Sequence, residues 1–182
     1  MRTIGDVSHF VADRPHLMGL LRAVATLGID DCWIGAGVIR NAVWDYLHGY
    51  PVQLVPGGDV DVVYCDHRNA DPQSDLVIER RLRRNFTNIP WSVGNQARMH
   101  ARNGDAPYRD VEDAIRRWPE TATAIAARLC EGQVRIIAPH GVDDLVAMIV
   151  RPTAAFATKP AVYERRLASK DWARRWPGLT FL

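Results

Sequence analysis

The sequence that decides the fold reads WIGAGVIRN over residues 33–41 and DVD over residues 59–61, which begins 22 residues after Gly37. The apolar start of the first stretch predicts a strand, and the glycines after it predict a turn. The stretch that follows, residues 38–48, has apolar residues on one side and predicts a helix. A strand, a glycine turn and a helix N-terminus together present free backbone N–H groups, which favour a phosphate.

The turn and the first helical residues are therefore candidates for contacts with a nucleotide. Gly35, Ala36 and Gly37 would present backbone N–H groups to the terminal phosphates of a nucleoside triphosphate. Arg40, one turn inside the helix, would lie near the same anion as a bidentate donor. Asn41 beside it is a further candidate for this contact.

The DVD segment opens a β-branched stretch, residues 59–64, that predicts a strand. Asp59 and Asp61 are two positions apart, so both side chains point to the same face of that strand. Two carboxylates held this close repel each other unless a cation lies between them. A hard divalent ion such as Mg²⁺, or Mn²⁺, accepts a few carboxylate oxygens and completes its shell with water and substrate phosphates. We therefore expect Asp59 and Asp61 to hold a metal that bridges them to the triphosphate and to be the catalytic pair.

A dinucleotide-binding fingerprint is the competing interpretation, because a Gly-x-Gly turn follows a strand and an acid lies about 20 residues further on. Two features count against it. The third glycine position of that fingerprint is occupied by Arg40, whose side chain would obstruct close packing of the helix on the strand. The acids also open their strand, whereas a ribose-binding acid lies at the carboxyl end of the second strand.

The composition is that of one ordinary soluble domain of 182 residues, 47% apolar and 24% charged. A net charge of +2 makes a nucleic-acid coat protein or a polybasic membrane binder unexpected, and no DNA partner is expected. No apolar run is long enough to span a bilayer, and the N-terminus does not resemble a signal peptide, so we expect a cytoplasmic protein. The three cysteines are predicted to be reduced thiols of the core.

The charges are segregated along the chain. Residues 59–79 contain six acids and one base, a balance of −5, and residues 151–182 contain seven bases and two acids, a balance of +5. One interpretation is that both blocks are solvent-exposed surface, which is the usual case for a run of charge. The alternative interpretation is an acidic cation site covered by a basic, anion-accepting tail.

The remaining pattern predicts one α/β domain over residues 1–182, with a core of about 30–150 and helical extensions at both ends, the C-terminal one (151–182) being basic. Helices are predicted from Pro15 to a stop at Gly28, then over 38–48, 75–86, 110–118 and 143–150, and finally over 161–176. Strands are predicted over 32–34, 59–64 and 91–95, and a hairpin over 121–129 and 134–137, with a helix as the alternative for 121–129. A Pro/Gly loop is predicted over 56–58.

The glycine turn that opens a helix, followed by Asp-x-Asp on the next strand, resembles the nucleotidyltransferase-fold superfamily. The Gly-Ala-Gly turn with Arg40 is also similar to the head domains of the tRNA CCA-adding enzymes. The segments WIGAGVIRNAVWDYLHG, DVDVVYCD, WSVGNQARMH, WPETATAIAARL and GVDDLVAMIVRP resemble a family of small bacterial nucleotidyltransferase-like proteins. The resemblance implies a mixed sheet flanked by helices, a nucleoside triphosphate, Mg²⁺ and transfer of a nucleoside monophosphate to an acceptor hydroxyl.

The chain departs from this pattern at one position. Where the wider superfamily often places a third carboxylate on a following strand, this sequence has Asn95, and a neutral amide neither binds a catalytic metal well nor activates a hydroxyl. Asp66 and Glu79 are the alternative candidates for the third carboxylate, but nothing in the sequence places either of them beside Asp59 and Asp61. The alternative function is therefore a catalytically inactive nucleotide-binding or sensing module of the same fold. A structure with no third acid beside Asp59 and Asp61 would favour this alternative.

A polar run beyond the 91–95 strand supplies candidate substrate contacts. Its members are an amide pair, a guanidinium and an imidazole, namely Asn95, Gln96, Arg98 and His100. A surface loop is the alternative for this run. The acceptor is not specified by the sequence and is a small molecule, a protein or an RNA end. For the tryptophans of the basic tail, Trp172 and Trp176, stacking on a nucleobase is the alternative to core packing.

Overall fold

The computed structural model describes residues 1–53 and 58–182. It begins with two helices, α1 (Ile4–Ala12) and α2 (Pro15–Ala25). Thr3 and Asp6 form a reciprocal capping box at the start of α1, and Pro15 occupies the first turn of α2. Both helices bury their apolar faces against the antiparallel half of a β-sheet. The predicted N-terminal helix is confirmed, with α1 as an additional helix before it.

Five strands of the described residues form one mixed sheet in the order β3-β2-β1-β4-β5. Strand β1 is antiparallel to both β2 and β4, β2 is parallel to β3, and β4 and β5 form a hairpin. The expected mixed sheet flanked by helices is confirmed. The strands are β1 (Cys32–Gly35), β2 (Val60–Tyr64), β3 (Trp91–Asn95), β4 (Ala126–Cys130) and β5 (Gln133–Ile137).

The alanine-rich run 121–129, for which the sequence allows a strand or a helix, is part of the hairpin. Only its second half is a strand, and the first half is irregular backbone held by hydrogen bonds from Thr121 to Arg151 and from Thr123 and Ala124 to Glu120. At the end of β4, Glu131 and Gly132 both have positive φ, which is the backbone geometry of a tight hairpin turn. The predicted loop over 56–58 lies mostly outside the described residues.

Of the five connecting helices in the described residues, four occur where the sequence predicts them, with different ends, and the helix over 99–103 was not predicted. They are α3 (Gly37–Leu47), α4 (Pro72–Asn85), α5 (Met99–Asn103), α6 (Val111–Ile115) and α7 (Asp143–Val146). Helix α4 starts three residues before its predicted start because Asp71 accepts a hydrogen bond from the Gln73 N–H and Pro72 follows as the first helical residue. Helix α6 is capped by Asp110 as predicted, but it ends before Trp118. Helix α7 ends before Val150, since Met148 has a positive φ.

The basic C-terminal segment is not one helix from 161 to 176. It contains α8 (Ala154–Ala157), α9 (Pro160–Ala168), α10 (Trp172–Arg175) and the short strand β7 (Thr180–Phe181), which pairs in parallel with β6 (Ile149–Val150) just before the segment. The break follows α9, where the Ser169 hydroxyl donates to the Arg166 carbonyl and the next helix starts at Trp172. The break allows Trp172 and Trp176 to pack edge-to-face on Trp44.

The core lies on both faces of the sheet. Trp44 and Trp91 are among its largest fully buried side chains, and Trp172 and Trp176 are buried with them. The two tail tryptophans therefore serve the core, which is the first of the two interpretations offered for them. The three cysteines are free, and Cys32 is buried. In the ranges that the structure covers, no helix is long and apolar enough to cross a membrane.

Candidate nucleotide-binding site

The turn between β1 and α3 has strained backbone. Ala36 is the N-cap of α3 and has φ +42° and ψ −108°, a conformation that residues with a Cβ rarely adopt. Its own N–H donates to the Ile125 carbonyl at 2.9 Å, which fixes the turn to the chain before β4. Among the described residues no side chain caps the helix, so the N–H groups of its first turn, beginning at Gly37, remain for an incoming anion.

Gly35 has a different role from Gly37. It is the buried last residue of β1, and a Cβ built on it would lie 2.5 Å from Cη2 of Trp118. Only a glycine therefore allows the Trp118 ring to pack at this position. A Cβ on Gly37 would meet only ordinary contacts, the nearest at 3.9 Å, and Gly37 lines a large cavity together with Ala36. Phosphate binding by the turn stays a prediction, and Gly37 is the glycine placed to make it.

The large cavity has a volume of about 790 Å³ and is open to solvent. Asp59 and Asp61 line it together with the turn residues Ala36 and Gly37. Burial raises the pKa of the Asp61 carboxyl, and the charge of Asp59 raises it further. The Ser92 hydroxyl on β3 and the charge of Arg40 lower the same pKa. The two carboxylates thus repel each other as they stand, and this repulsion fits a site for a divalent cation.

Arg40 is buried, with 5% of its surface exposed, and it is held on three sides. Its Nη1 donates to the Thr123 hydroxyl at 2.9 Å, and its Nε and Nη2 both donate to Oδ1 of Asn41. Its guanidinium lies 4.3 Å from the centre of the Trp172 ring. Burial lowers the pKa of Arg40 to about 10, so the group is charged at neutral pH. Arg40 and Asn41 are therefore preorganised at the wall of the large cavity.

The basic C-terminal segment contributes a further part of the lining of the large cavity. Its cations there are Arg166, Lys170, Arg174 and Arg175. Glu120, which is fully buried, accepts two hydrogen bonds from Arg166, and Asp45, also fully buried, accepts from Arg175 and from the Trp176 indole. Burial lowers the pKa of Lys170, and the charges of Arg166 and Arg40 lower it further. The structure thus brings the acidic and basic blocks of the sequence to the same cavity.

The sequence did not indicate three residues that hold cavity-lining arginines in place. Glu120 and Thr123 lie in the irregular segment before β4, and nothing in their local pattern distinguishes them from a loop. Asp45 lies on α3 within an apolar surrounding, and its partner Arg175 is 130 residues away. The only available signal was the excess of bases in the tail.

The polar run after β3 lies mainly outside this cavity. Asn95 is fully buried and accepts from the N–H groups of Asp66 and Ala97, while its amide donates to the carbonyls of Asp66 and Asn69. Arg98 pairs with the buried carboxylate of Asp75, so its charge is already compensated.

His100 contacts the Ala97 carbonyl at 3.0 Å and packs edge-to-face on Tyr108. Gln96 alone among the four candidates lines a cavity, a second and smaller one that adjoins the first. A substrate contact stays a prediction for all four, and the geometry supports it best at Gln96.

A third metal-binding acid is not evident in the described part of the chain, where no three His, Cys, Asp or Glu side chains are grouped for a metal ion. Asn95, at the position of the expected third carboxylate, instead ties the loop after β2 to the end of β3. Asp171 lines the large cavity, but it pairs with Arg174. Asp59 and Asp61 are therefore the acids on which the site depends.

The sheet and its flanking helices form a nucleotidyltransferase-like fold. A family model described as Nucleotidyltransferase matches residues 22–181, and the chain belongs to this family. A comparison with curated protein sequences finds no match.

Solved structures agree with this assignment. An NMR structure described as a CCA-adding enzyme head domain is 30% identical, with a TM-score of 0.86 over 98% of this chain and 95% of that one. The Thermotoga maritima CCA-adding enzyme complexed with tRNA is 14% identical, with a TM-score of 0.58 over all of this chain and 42% of that one. The Bacillus stearothermophilus enzyme in complex with CTP is 18% identical, with a TM-score of 0.50 over 93% of this chain and 41% of that one. The last two likenesses concern the fold, and the chain spans less than half of those enzymes.

Proposed function

We propose that the protein is a metal-dependent nucleotidyltransferase that moves a nucleoside monophosphate from a nucleoside triphosphate to an acceptor hydroxyl. One observation carries the proposal: Asp59 and Asp61 share a cavity of about 790 Å³ with the uncapped start of α3 and with the cations of the C-terminal segment. A triphosphate needs both a cation and anion-binding groups, and the lining of this cavity contains candidates for both.

Each part of the site has a task in this proposal. The N–H groups from Gly37 onward and the charges of Lys170 and Arg174 bind the terminal phosphates, which leave as pyrophosphate. Arg40, fixed by Thr123 and Asn41, adds a fixed positive charge at the wall without having to reorganise. Asp59 and Asp61 would hold Mg²⁺ or Mn²⁺, which supplies charge neutralisation and alignment of the phosphates when it is bound. No geometry of the metal is needed for these assignments.

Titration calorimetry of ATP, GTP, CTP and UTP, each with Mg²⁺, tests the proposal, together with release of pyrophosphate. We expect at least one triphosphate to bind, and Asp59→Asn combined with Asp61→Asn to weaken binding by about tenfold or more and to abolish turnover. Asp13→Asn, an exposed change at the end of α1, is the matched control and should leave both measurements unchanged. The proposal fails if none of the four nucleotides binds, or if the double variant behaves like the control.

The second candidate function is nucleotide binding without transfer. It is favoured by the two-acid site, because the described residues group no third carboxylate with Asp59 and Asp61. This candidate predicts the same triphosphate affinity but no release of pyrophosphate with any acceptor. A labelled triphosphate incubated with a cell lysate distinguishes the two functions, since a transferase labels an acceptor and a sensor does not.

The neighbours offer an RNA end as one acceptor class, since one of them was solved with tRNA and another with CTP. A small molecule or a protein remains equally compatible with the cavity described above. The labelled-lysate experiment resolves these classes by the size of the labelled product.

A further inference from the structure

A second cavity of about 430 Å³ adjoins the large cavity, which is called the nucleotide cavity from here on. The two cavities share four residues, and two of these, Asp61 and Arg166, are charged groups of the proposed reaction site. The other shared residues are Ala36 and Thr123. A molecule in the second cavity would therefore meet the metal-binding carboxylate from the side that the nucleotide cavity leaves free.

The chemistry of the second cavity differs from that of the first. It does not include Gly37, Asp59 or Lys170, so it lacks the start of α3, the second carboxylate and the phosphate-facing lysine. Its own lining includes both apolar and cationic side chains. The apolar residues are Val63, Met99, Trp118 and Phe156, and the cations besides Arg166 are Arg102 and Arg117.

Arg117 carries hydrogen-bonding capacity that the protein does not use. Its Nε is buried and finds no partner among the described residues. Its nearest acid is Asp113, with Nη2 3.8 Å from Oδ1, which is too far for a good hydrogen bond. A buried donor without a partner costs free energy, so an anionic group beside Arg117 would be stabilised.

Two substrates of a group transfer must reach the transferred phosphorus from different sides, because the attacking oxygen and the leaving pyrophosphate lie roughly in line. We propose that the second cavity binds the acceptor, and that the acceptor is a small molecule with a hydroxyl, an apolar or aromatic face and an anionic group. The hydroxyl lies toward Asp61, the apolar face on Trp118 and Phe156, and the anion at Arg117. This inference rests on the proposed function and names the substrate class of its second substrate.

The atoms balance in this reaction. The acceptor oxygen forms a bond to the α-phosphorus, and the bond from that phosphorus to the oxygen that bridges it to the β-phosphate breaks. The β- and γ-phosphates leave as pyrophosphate, and the hydroxyl loses its proton in the same reaction. The nucleobase does not need the second cavity, since about 790 Å³ lies within the usual size range of a complete ligand pocket. A volume of about 430 Å³ restricts the second site to one small molecule or one terminal group.

Phenyl phosphate is a suitable probe because it combines an aromatic ring with a phosphate. We expect it to bind by calorimetry both alone and with a saturating non-hydrolysable triphosphate, and to shift the Trp118 indole signal in NMR, assigned with Trp118→Phe. Arg117→Gln should weaken phenyl phosphate about tenfold and leave triphosphate affinity unchanged. Arg116→Gln is the matched control. Arg116 is next to Arg117 in the chain, but its own guanidinium is exposed and donates hydrogen bonds to Glu112 and to the Pro139 carbonyl.

Three results would overturn the inference: no binding of phenyl phosphate, competition between phenyl phosphate and the triphosphate, or a loss of triphosphate affinity in Arg117→Gln. The last of these would place the nucleotide itself in the second cavity. Phe156→Ala gives a second test that keeps Arg117 intact, and it should also weaken the probe alone. A failure of the proposed function appears as absent triphosphate binding or absent pyrophosphate release, whereas a failure of this inference leaves both intact, so the two failures are distinguishable.

Discussion

Glu120 and Arg166 form a two-point ion pair, with Nε 2.5 Å from Oε1 and Nη2 3.0 Å from Oε2. Glu120 is fully buried, whereas Arg166 lines both cavities. The pair joins the segment before β4 to α9 across 46 residues of sequence. The buried carboxylate thus fixes a guanidinium at the boundary between the two proposed substrate sites.

The first prediction concerns this pair. Glu120→Gln keeps the shape but leaves Arg166 without its counter-charge close to Arg40, so we expect the free energy of unfolding to fall by about 3 kcal/mol. Turnover should fall as well, because Arg166 loses its fixed orientation. Urea unfolding measures the first effect. Glu79→Gln is the control, since Glu79 pairs with Arg83 on the surface of α4 and should cost about 0.5 kcal/mol or less. Equal losses in the two variants would contradict the prediction.

Two glycine-to-alanine changes test the packing of Trp118 on the turn. Gly35→Ala places a Cβ 2.5 Å from Cη2 of Trp118, so the ring must move, and we expect a loss of about 1–3 kcal/mol in stability. Gly19→Ala on α2 meets nothing within 4 Å and should instead gain about 0.5–1 kcal/mol, because alanine favours a helix. Thermal unfolding checks both signs. A stable Gly35→Ala variant would show that Trp118 is not packed on this residue.

Ala36→Gly should stabilise the protein and weaken its nucleotide binding. Relief of the strained backbone at φ +42° exceeds the entropy that a glycine costs, so a gain of about 1 kcal/mol is expected. The freed turn then no longer fixes its N–H groups, and the triphosphate Kd should rise about threefold. Urea unfolding and calorimetry measure the two effects. Ala36→Val, with a β-branched side chain at the same φ, is expected to destabilise instead, and a destabilised Ala36→Gly would refute the argument.

Local pattern in the sequence was sufficient for the elements that carry the site. The strand, turn and helix over 32–48, the strand that follows Asp59 and the hairpin around Gly132 all have short-range signals: periodicity, β-branched runs and turn residues. The break in the C-terminal helix has no such signal. It occurs because Trp172 and Trp176 pack on Trp44, which is more than 120 residues earlier in the chain.

The same distinction holds for the candidate site. Asp59 and Asp61 were evident because their spacing alone predicts one face of a strand, although in the structure Asp59 directly precedes β2 and only Asp61 lies in it. The roles of Glu120, Thr123 and Asp45 depend on partners that only the folded chain brings near, so no sequence window reveals them. The pattern of glycines was likewise insufficient to separate a phosphate-facing glycine from one that accommodates an indole.

Asp61→Asn should stabilise the metal-free protein at pH 7 by about 1 kcal/mol. Burial and the charge of Asp59 raise the pKa of Asp61 in the folded state, so ionisation of this carboxyl at neutral pH opposes folding. As the pH falls through the raised pKa, the folded wild type takes up a proton before the unfolded chain does, and the advantage of Asp61→Asn must shrink. Urea unfolding of both proteins between pH 7 and pH 4 measures this difference.

Addition of Mg²⁺ should have the opposite effect on the relative stability of the two proteins. A cation beside Asp59 and Asp61 stabilises the wild type, which has both carboxylates, more than Asp61→Asn, which has one. We expect Mg²⁺ to raise the melting temperature of the wild type and to leave Asp61→Asn nearly unchanged. Glu164→Gln, an exposed change on α9, controls for the loss of one negative charge and should show neither effect. If Asp61→Asn were the less stable protein without Mg²⁺, the repulsion between the two carboxylates would not be the dominant interaction at this site.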